Sequence, residues 1–192
     1  MTTSELLYDH YKDTCQVIRD QIKQRNQLFI YVVLIISTQF IFMLSPNSVL
    51  NIFSLWIDKN YTLKIDFSLN MVQSILWLFM LYITIRYIQE TINIEQGYTY
   101  IHSLENKLNN LEICIDREGK NYLTDYPIVK NIIHYIYQLV FPLIYILLVL
   151  IEIIKELTGS IENANLLFDV SIGILCLIIQ IFYLQFLFKK GN

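Results

Sequence analysis

The sequence predicts an all-α, polytopic membrane protein with four transmembrane helices and short cytoplasmic helical extensions. Hydrophobic residues make up 55% of its 192 residues and charged residues only 16%, against about 25% charged residues in an ordinary soluble domain. With 5 Gly and 3 Pro, little chain is left for the turns that a sandwich or a doubly wound sheet needs. Four apolar runs are long enough, or nearly so, to cross a hydrocarbon layer of ~30 Å, which takes ~20 helical residues.

These runs and the more polar stretches between them divide the chain. The expected order is a cytoplasmic amphipathic helix (1–27), a first span (28–46), an external loop with an interfacial helix (47–66), a second span (67–90), a cytoplasmic helix and turn (91–126), a third span (127–158), a short external loop (159–165), a fourth span (166–188) and a cytoplasmic tail (189–192).

The N-terminal segment and the first span are expected to form one long helix. Neither Gly nor Pro occurs from Met1 to Ser45, and Thr2 with Glu5 has the spacing of a capping box. A rod of ~42 residues would be about 63 Å long at 1.5 Å per residue. We expect no cleaved signal peptide, so the first apolar run would serve as targeting signal and anchor. One side of the cytoplasmic part is apolar, at Leu7, Tyr11, Ile18 and Ile22.

The external loop between the first two spans has the apolar pattern of a short helix. Its apolar residues recur at i, i+3, i+4 and i+7, namely Val49, Ile52, Phe53 and Trp56. Because Trp favours the headgroup zone, this pattern predicts a helix lying in the membrane interface.

The central cytoplasmic segment contains an apolar seam with alternating spacings of three and four residues. It begins just after Gly97, stops at Gly119, and carries Glu105 and Lys107 on its water-facing side. Such a surface has to be buried, either on the apolar side of the N-terminal helix, against a second copy, or against a cytosolic protein partner. The seam residues are Ile101, Leu104, Leu108, Leu111 and Ile115.

The third span has its own helix signals. Pro127 suits the first turn of a helix, Pro142 predicts a kink within the span, and Gly159 predicts its end.

The orientation follows from the cations, because Lys and Arg beside spans are retained on the cytoplasmic side. Eleven of the 14 Lys and Arg residues lie in the N-terminal, central and C-terminal segments or, for Arg86 and Lys130, at the ends of the spans that flank the central segment. Both termini are therefore expected in the cytoplasm, with the chain in the bacterial inner membrane and membrane lipid as its surroundings.

Each predicted span carries a glutamine, and a carboxamide facing lipid would leave its donors and acceptor unsatisfied. We therefore expect these side chains to point into the bundle, either as hydrogen-bonding contacts between helices or as the lining of a water-filled pore. Gln138 and Gln180 fall at a similar depth, close enough to meet. The glutamines are Gln39, Gln73, Gln138 and Gln180.

Asp169 is the remaining candidate pore residue. It lies one short turn inside the external end of the fourth span, where a carboxylate can reach the interface. A solvated position and a selectivity ring within an oligomer are both consistent with that place.

No catalytic residue, cofactor or metal site is expected. The sequence lacks a Gly-rich phosphate loop, an HExxH motif and a Gly-x-Ser-x-Gly elbow. His102 and Glu105 form an i, i+3 pair, which is at most half a metal site. The 3 cysteines are far apart and are expected as free thiols. A formal charge of -3 predicts no direct binding of nucleic acid.

The arrangement of a cytoplasmic helix, a two-span hairpin and a second cytoplasmic helix, with the basic lead-in Arg19 to Phe29, resembles the SLATT and four-span membrane effectors of bacterial antiphage operons. The resemblance covers about the first 120 residues. It implies an oligomer that permeabilises or depolarises the inner membrane when a cytosolic trigger is sensed. The general plan is also similar to four-span sensor subunits that recruit a soluble effector.

Three functions therefore remain open at this stage. The leading hypothesis is a homo-oligomeric pore-forming effector, in which rearrangement of the seam turns Gln and Asp side chains towards a water path. The second is a sensor or anchor subunit that binds a cytosolic partner and conducts nothing. The third is a small transporter or an accessory subunit.

Overall fold

The computed structural model describes residues 3–61, 69–111, 136–158 and 163–191. The all-α prediction is confirmed within these ranges, which contain no strand. The elements, in chain order, are α1 (Thr3–Leu44), α2 (Pro46–Tyr61), α3 (Leu69–Asn109), a π-helical turn (Ile136–Val140), α4 (Phe141–Thr158) and α5 (Asn163–Gly191).

Helix α1 is a single helix of 42 residues, the length that the absence of Gly and Pro predicts. Ser45 separates it from α2: its N–H donates to the Ile41 carbonyl at 3.0 Å, and its own carbonyl accepts from Val49 N–H at 3.2 Å. Pro46 then opens α2, where a proline's missing N–H costs nothing. Helix α2 occupies the loop in which the sequence predicts a short helix.

Helix α3 runs without a break through Gly97, so the second predicted span and the start of the predicted cytoplasmic segment belong to one helix. The glycine allows a close approach. A Cβ at position 97 would lie 2.8 Å from Cδ1 of Ile18 on α1, which is shorter than van der Waals contact permits. The missing side chain therefore lets α1 and α3 pack closely, and the helix bears the propensity cost of glycine.

The turn Ile136–Val140 has π geometry, and Pro142 follows it in the first turn of α4. A proline disturbs the hydrogen-bond ladder of the preceding turn, because it lacks an N–H and its ring crowds the carbonyl four residues earlier. The irregularity predicted at Pro142 thus takes the form of a π turn just before it. The predictions at Pro127 and Gly159 lie outside the described residues.

The chain divides into two compact units. The first unit comprises Met1–Phe29 and Arg86–Tyr137. Its core is apolar and is built from one face of α1 and one face of α3, and its other faces carry charged and amide side chains exposed to solvent. The core residues are Tyr11, Cys15, Ile18, Ile94, Ile101, Leu104 and Leu108, with Leu7, Ile22 and Tyr98 packed against them.

The second unit comprises Ile30–Ile85 and Gln138–Asn192. In it, α4 packs on α5. α3 and α5 run parallel, because Ser74 neighbours Asp169 and the next turn pairs Trp77 with Gly173.

Within the described ranges, three helices are long and apolar enough to cross a membrane, over Ser4–Phe42, Met71–Asn109 and Leu166–Lys189. They overlap the first and second predicted spans and contain the fourth. Of the third predicted span, the structure describes residues 136–158, which form the π turn and the 18 residues of α4.

Candidate functional site

The second unit exposes large apolar side chains and buries several polar ones. Its exposed surface carries large apolar side chains on every described span, such as Leu34, Phe79, Leu147 and Phe182. Its buried polar residues include Gln39, Thr84, Asp169 and Gln180. Apolar surface on this scale is stable in lipid rather than in water, and lipid forces polar side chains inwards. The buried polar side chains make the interior of the unit the candidate functional site.

The first polar level of this interior contains Asp169, Ser74 and Gln39, and we call it the Asp169 level. Asp169 of α5 and Ser74 of α3 are neighbours. Gln39 is five residues from the C-terminal end of α1, which the predicted topology puts on the same side of the membrane as Ser74 and Asp169.

The Asp169 level contains every buried side-chain nitrogen or oxygen that lacks a hydrogen-bond partner among the described residues. These atoms are Oδ1 of Asp169, Oγ of Ser74, and Oε1 and Nε2 of Gln39. Buried polar atoms are nearly always hydrogen-bonded, and those that are not mark functional sites or bound water and ions. Such atoms therefore single out these three residues.

The burial of Asp169 disagrees with one of the two positions that the sequence predicts for it. Its side chain is only 4% exposed, so the solvated position is wrong. The carboxylate does not reach the surface, because Asp169 lies on the face of α5 that packs against α3.

An apolar layer follows the Asp169 level, one helical turn further along α3 and α5. Trp77 is fully buried there. A Cβ on Gly173 would lie 3.2 Å from the Trp77 ring and 2.9 Å from Cδ1 of Ile153 on α4. The glycine therefore makes room for both side chains, as small residues do between packed membrane helices. Met80, which is also buried, lies one turn further along α3.

A second polar level lies beyond the apolar layer. The Thr84 and Tyr145 hydroxyls share a hydrogen bond of 2.9 Å between α3 and α4, and the Cys176 thiol of α5 is a further hydrogen-bonding neighbour of Tyr145. Gln180 is buried one turn further along α5. The interior thus alternates a polar, an apolar and a polar level.

The four predicted glutamines have different environments. Gln39 and Gln180 are buried, and Gln73 is half-buried. The side chain of Gln138 lies outside the described residues, and with it the predicted meeting of Gln138 and Gln180.

The apolar seam of the first unit packs within the chain. Ile101, Leu104 and Leu108 are fully buried in the core with residues of α1, whereas Leu111 is 48% exposed. Ile115 lies outside the described residues. Of the three alternatives, packing on the N-terminal helix is the arrangement that the structure contains for the buried part of the seam.

A buried polar network crosses this core, and it corrects the placement of Glu105 on the water-facing side. Glu105 is only 5% exposed and accepts a hydrogen bond of 3.1 Å from the Tyr11 hydroxyl. His102 Nδ1 lies 3.5 Å from its other carboxylate oxygen. Burial raises the pKa of Tyr11, and the neighbouring Cys15 and Glu105, which become anionic on ionisation, raise it further.

The described residues contain no group of three or more His, Cys, Asp or Glu side chains that could hold a metal ion. In the same ranges, Cys15 and Cys176 are free thiols and both are buried; Cys114 lies outside them.

Comparison of the chain with known protein families, with curated proteins and with solved structures finds no match.

Proposed function

We propose that this chain is a homo-oligomeric effector of the bacterial inner membrane, which permeabilises the membrane when a cytosolic trigger acts on its first unit. The proposal includes four spans, with α4 and the residues before it as the third, and both termini in the cytoplasm. The antiphage setting rests on the helix arrangement shared with SLATT-type and four-span effectors.

The observation that carries this proposal is the alternation of levels inside the second unit. Polar side chains at two depths, separated by the layer of Trp77, Ile153 and Gly173, are what a closed water path requires. A bundle that served only as an anchor would gain nothing from keeping a carboxylate at the Asp169 level without a hydrogen-bond partner on Oδ1.

The trigger would act through the core of the first unit. Helices α1 and α3 each supply residues to both units. A change in the packing of Leu104 and Leu108 would therefore be carried along the same helices that hold Gln39 and Ser74.

The test uses a charge placed in this core. Leu108 is 0% exposed, so Leu108→Glu should disrupt the first unit and mimic the trigger. Leu111→Glu, three residues further along and exposed, is the matched control. Reconstituted in dye-loaded liposomes, the Leu108→Glu protein should release dye and the Leu111→Glu protein should not.

Equal retention of dye by both proteins, with the oligomer intact by size-exclusion chromatography, would contradict the pore. The second candidate function, a sensor or anchor subunit, predicts a different result for Leu108→Glu: a co-purifying cytosolic protein is lost while the liposomes stay tight. Exposed apolar side chains on the first unit, including Leu6, Val17 and Leu111, favour this candidate as a partner surface.

A further inference from the structure

Two cations on α1 lie directly before the lipid-facing part of that helix. Lys23 and Arg25 are the only charged residues between positions 21 and 57, and the apolar side chains of Ile30 and Tyr31, which follow them, are exposed. In a helix that enters a bilayer, the last basic residues before the apolar run lie at the level of the lipid headgroups. The sequence of α1 thus places two positive charges and no negative one at that level.

The packing of α1 on α3 holds this part of α1 in place within the first unit. Ile18 meets Gly97 of α3, and further along α1 the centroid of the Phe29 ring lies 6.2 Å from that of Tyr87. Arg25 lies between these two contacts, so its backbone is held on both sides.

The guanidinium of Arg25 has a neutral partner and spare donors. Its Nε and Nη2 atoms donate to Oδ1 of Asn26 at 3.3 and 3.0 Å, but a guanidinium has five N–H donors. Arg86 on α3 differs, because it donates to the carboxylate of Glu90 at 3.2 Å. Within the described residues, the charge of Arg25 is therefore met by a neutral oxygen and that of Arg86 by an acid.

Asn26 joins the two cations into one surface. It is three residues from Lys23, on the same side of the helix, and it accepts the hydrogen bonds of Arg25. Because its Oδ1 is the acceptor, its amide nitrogen is left as a further donor. Lys23 and Asn26 are exposed and Arg25 is half-buried, so three adjacent side chains offer N–H donors and two positive charges.

We propose that Lys23, Arg25 and Asn26 bind the headgroup of an anionic phospholipid. The fork of a guanidinium matches two oxygens of a phosphate diester, and a phosphate at this level of the helix is that of a lipid. The second charge, on Lys23, favours a lipid with a net negative charge over one whose headgroup also carries a cation. The site rests on the membrane-spanning part of the proposed function and not on the pore.

The experiment measures the lipids bound to the full chain in detergent by native mass spectrometry. The protein is titrated with phosphatidylglycerol, or with phosphatidylcholine that has the same acyl chains. We expect the first phosphatidylglycerol to bind the parent about tenfold more tightly than the first phosphatidylcholine, because two cations attract its net charge. Inorganic phosphate at an equal concentration should not displace the lipid.

Two variants and a control locate the site. Arg25→Gln should lower the affinity for phosphatidylglycerol about tenfold, because it removes the charge-assisted hydrogen bonds to the phosphate. Arg25→Lys keeps the charge without the fork and should lose part of that affinity. Lys12→Gln removes an exposed cation of the same helix, further from the apolar run, and should bind as the parent does. If Arg25→Gln does not fold, as judged by circular dichroism, Arg25→Lys against Lys12→Gln decides the question.

Three results would overturn the site. These are an equal affinity of the parent for the two lipids, an equal loss of affinity in Arg25→Gln and Lys12→Gln, or displacement of the lipid by inorganic phosphate. If the parent prefers phosphatidylglycerol but its Leu108→Glu variant retains liposome dye, the pore is refuted and the site stands. If that variant releases dye but the parent does not prefer phosphatidylglycerol, the site is refuted and the pore stands.

Discussion

The Tyr11 hydroxyl donates a hydrogen bond of 3.1 Å to Oε1 of Glu105, a residue 94 positions along the chain. Both side chains are buried, so the contact joins α1 to α3 through the centre of an apolar core. A buried carboxylate depends on its donors, because a lost partner leaves it desolvated without compensation.

Removing this donor should destabilise the first unit. We expect Tyr11→Phe to cost about 1–3 kcal/mol, the usual penalty for leaving a buried acceptor short of a partner. The change in the free energy of unfolding is measured by following the loss of helicity with increasing denaturant in detergent. Tyr8→Phe, at an exposed position of the same helix, is the control, and an equal loss in both variants would show that the hydrogen bond contributes nothing.

The same hydroxyl predicts a dependence on alkaline pH. The pKa of Tyr11 is raised in the folded chain above its ordinary value of 10.0, so the fold holds this proton more tightly than the unfolded chain does. Its contribution to stability is complete below pH 10 and falls by about 1.4 kcal/mol per pH unit above it. Denaturation midpoints measured above pH 10 should therefore fall more steeply for the parent than for Tyr11→Phe. If the midpoints of both proteins fall equally with pH, the ionisation of Tyr11 is not the cause of the decrease.

Gly97 and Ile18 should be energetically coupled. Alanine at position 97 gains up to about 1 kcal/mol of helix propensity, but its Cβ would meet Cδ1 and Cγ1 of Ile18 at 2.8 and 2.9 Å, and overpacking costs about 1–3 kcal/mol. Gly97→Ala should thus destabilise the parent and stabilise an Ile18→Ala variant. A double-mutant cycle of unfolding free energies measures the coupling, and additive effects would mean that the glycine is not there for packing.

Trp77 should act as the closed barrier of the proposed path. Trp77→Ala removes the largest side chain of the apolar layer and should make reconstituted liposomes leak dye without any trigger. Phe79→Ala, at an exposed apolar position two residues further along, should leave them tight. Helical content by circular dichroism checks that both variants are folded. If liposomes that contain the Trp77→Ala protein retain their dye, the barrier lies elsewhere.

The helices were predictable where composition alone decides them. The run without Gly or Pro that predicts one long N-terminal rod matches α1, and the i, i+3, i+4, i+7 pattern falls within α2. The packing role of Gly97 was not predicted, because a glycine that ends a helix and one that lets two helices touch are the same letter. Only the distance to Ile18 distinguishes them.

The site was predictable in part. Gln39 and Asp169 were recognised by their polarity, but Ser74, Thr84, Tyr145 and Cys176 were not, because small or amphipathic residues are common in membrane helices. A signal was present in α5, where polar and small residues recur on one face with spacings of three or four: Asp169, Gly173, Cys176, Gln180 and Tyr183.

The sequence also contains a signal that Glu105 is buried. With Ile101 and Leu108 it forms an i, i+4, i+7 set, which places it on the apolar face and predicts a buried partner. That the partner is Tyr11 depends on how α1 docks, and no local pattern contains that information.

Four crossings of the bilayer are the central claim. The most direct test is membrane-impermeant thiol labelling of a variant that lacks Cys15, Cys114 and Cys176, carrying one new cysteine at a time in intact bacterial spheroplasts. We predict that Asn51→Cys and Thr158→Cys are labelled from outside, and that Asn110→Cys and Lys189→Cys are labelled only after lysis. Labelling of Asn110→Cys in intact spheroplasts, or recovery of the protein in the soluble fraction without detergent, would contradict the account.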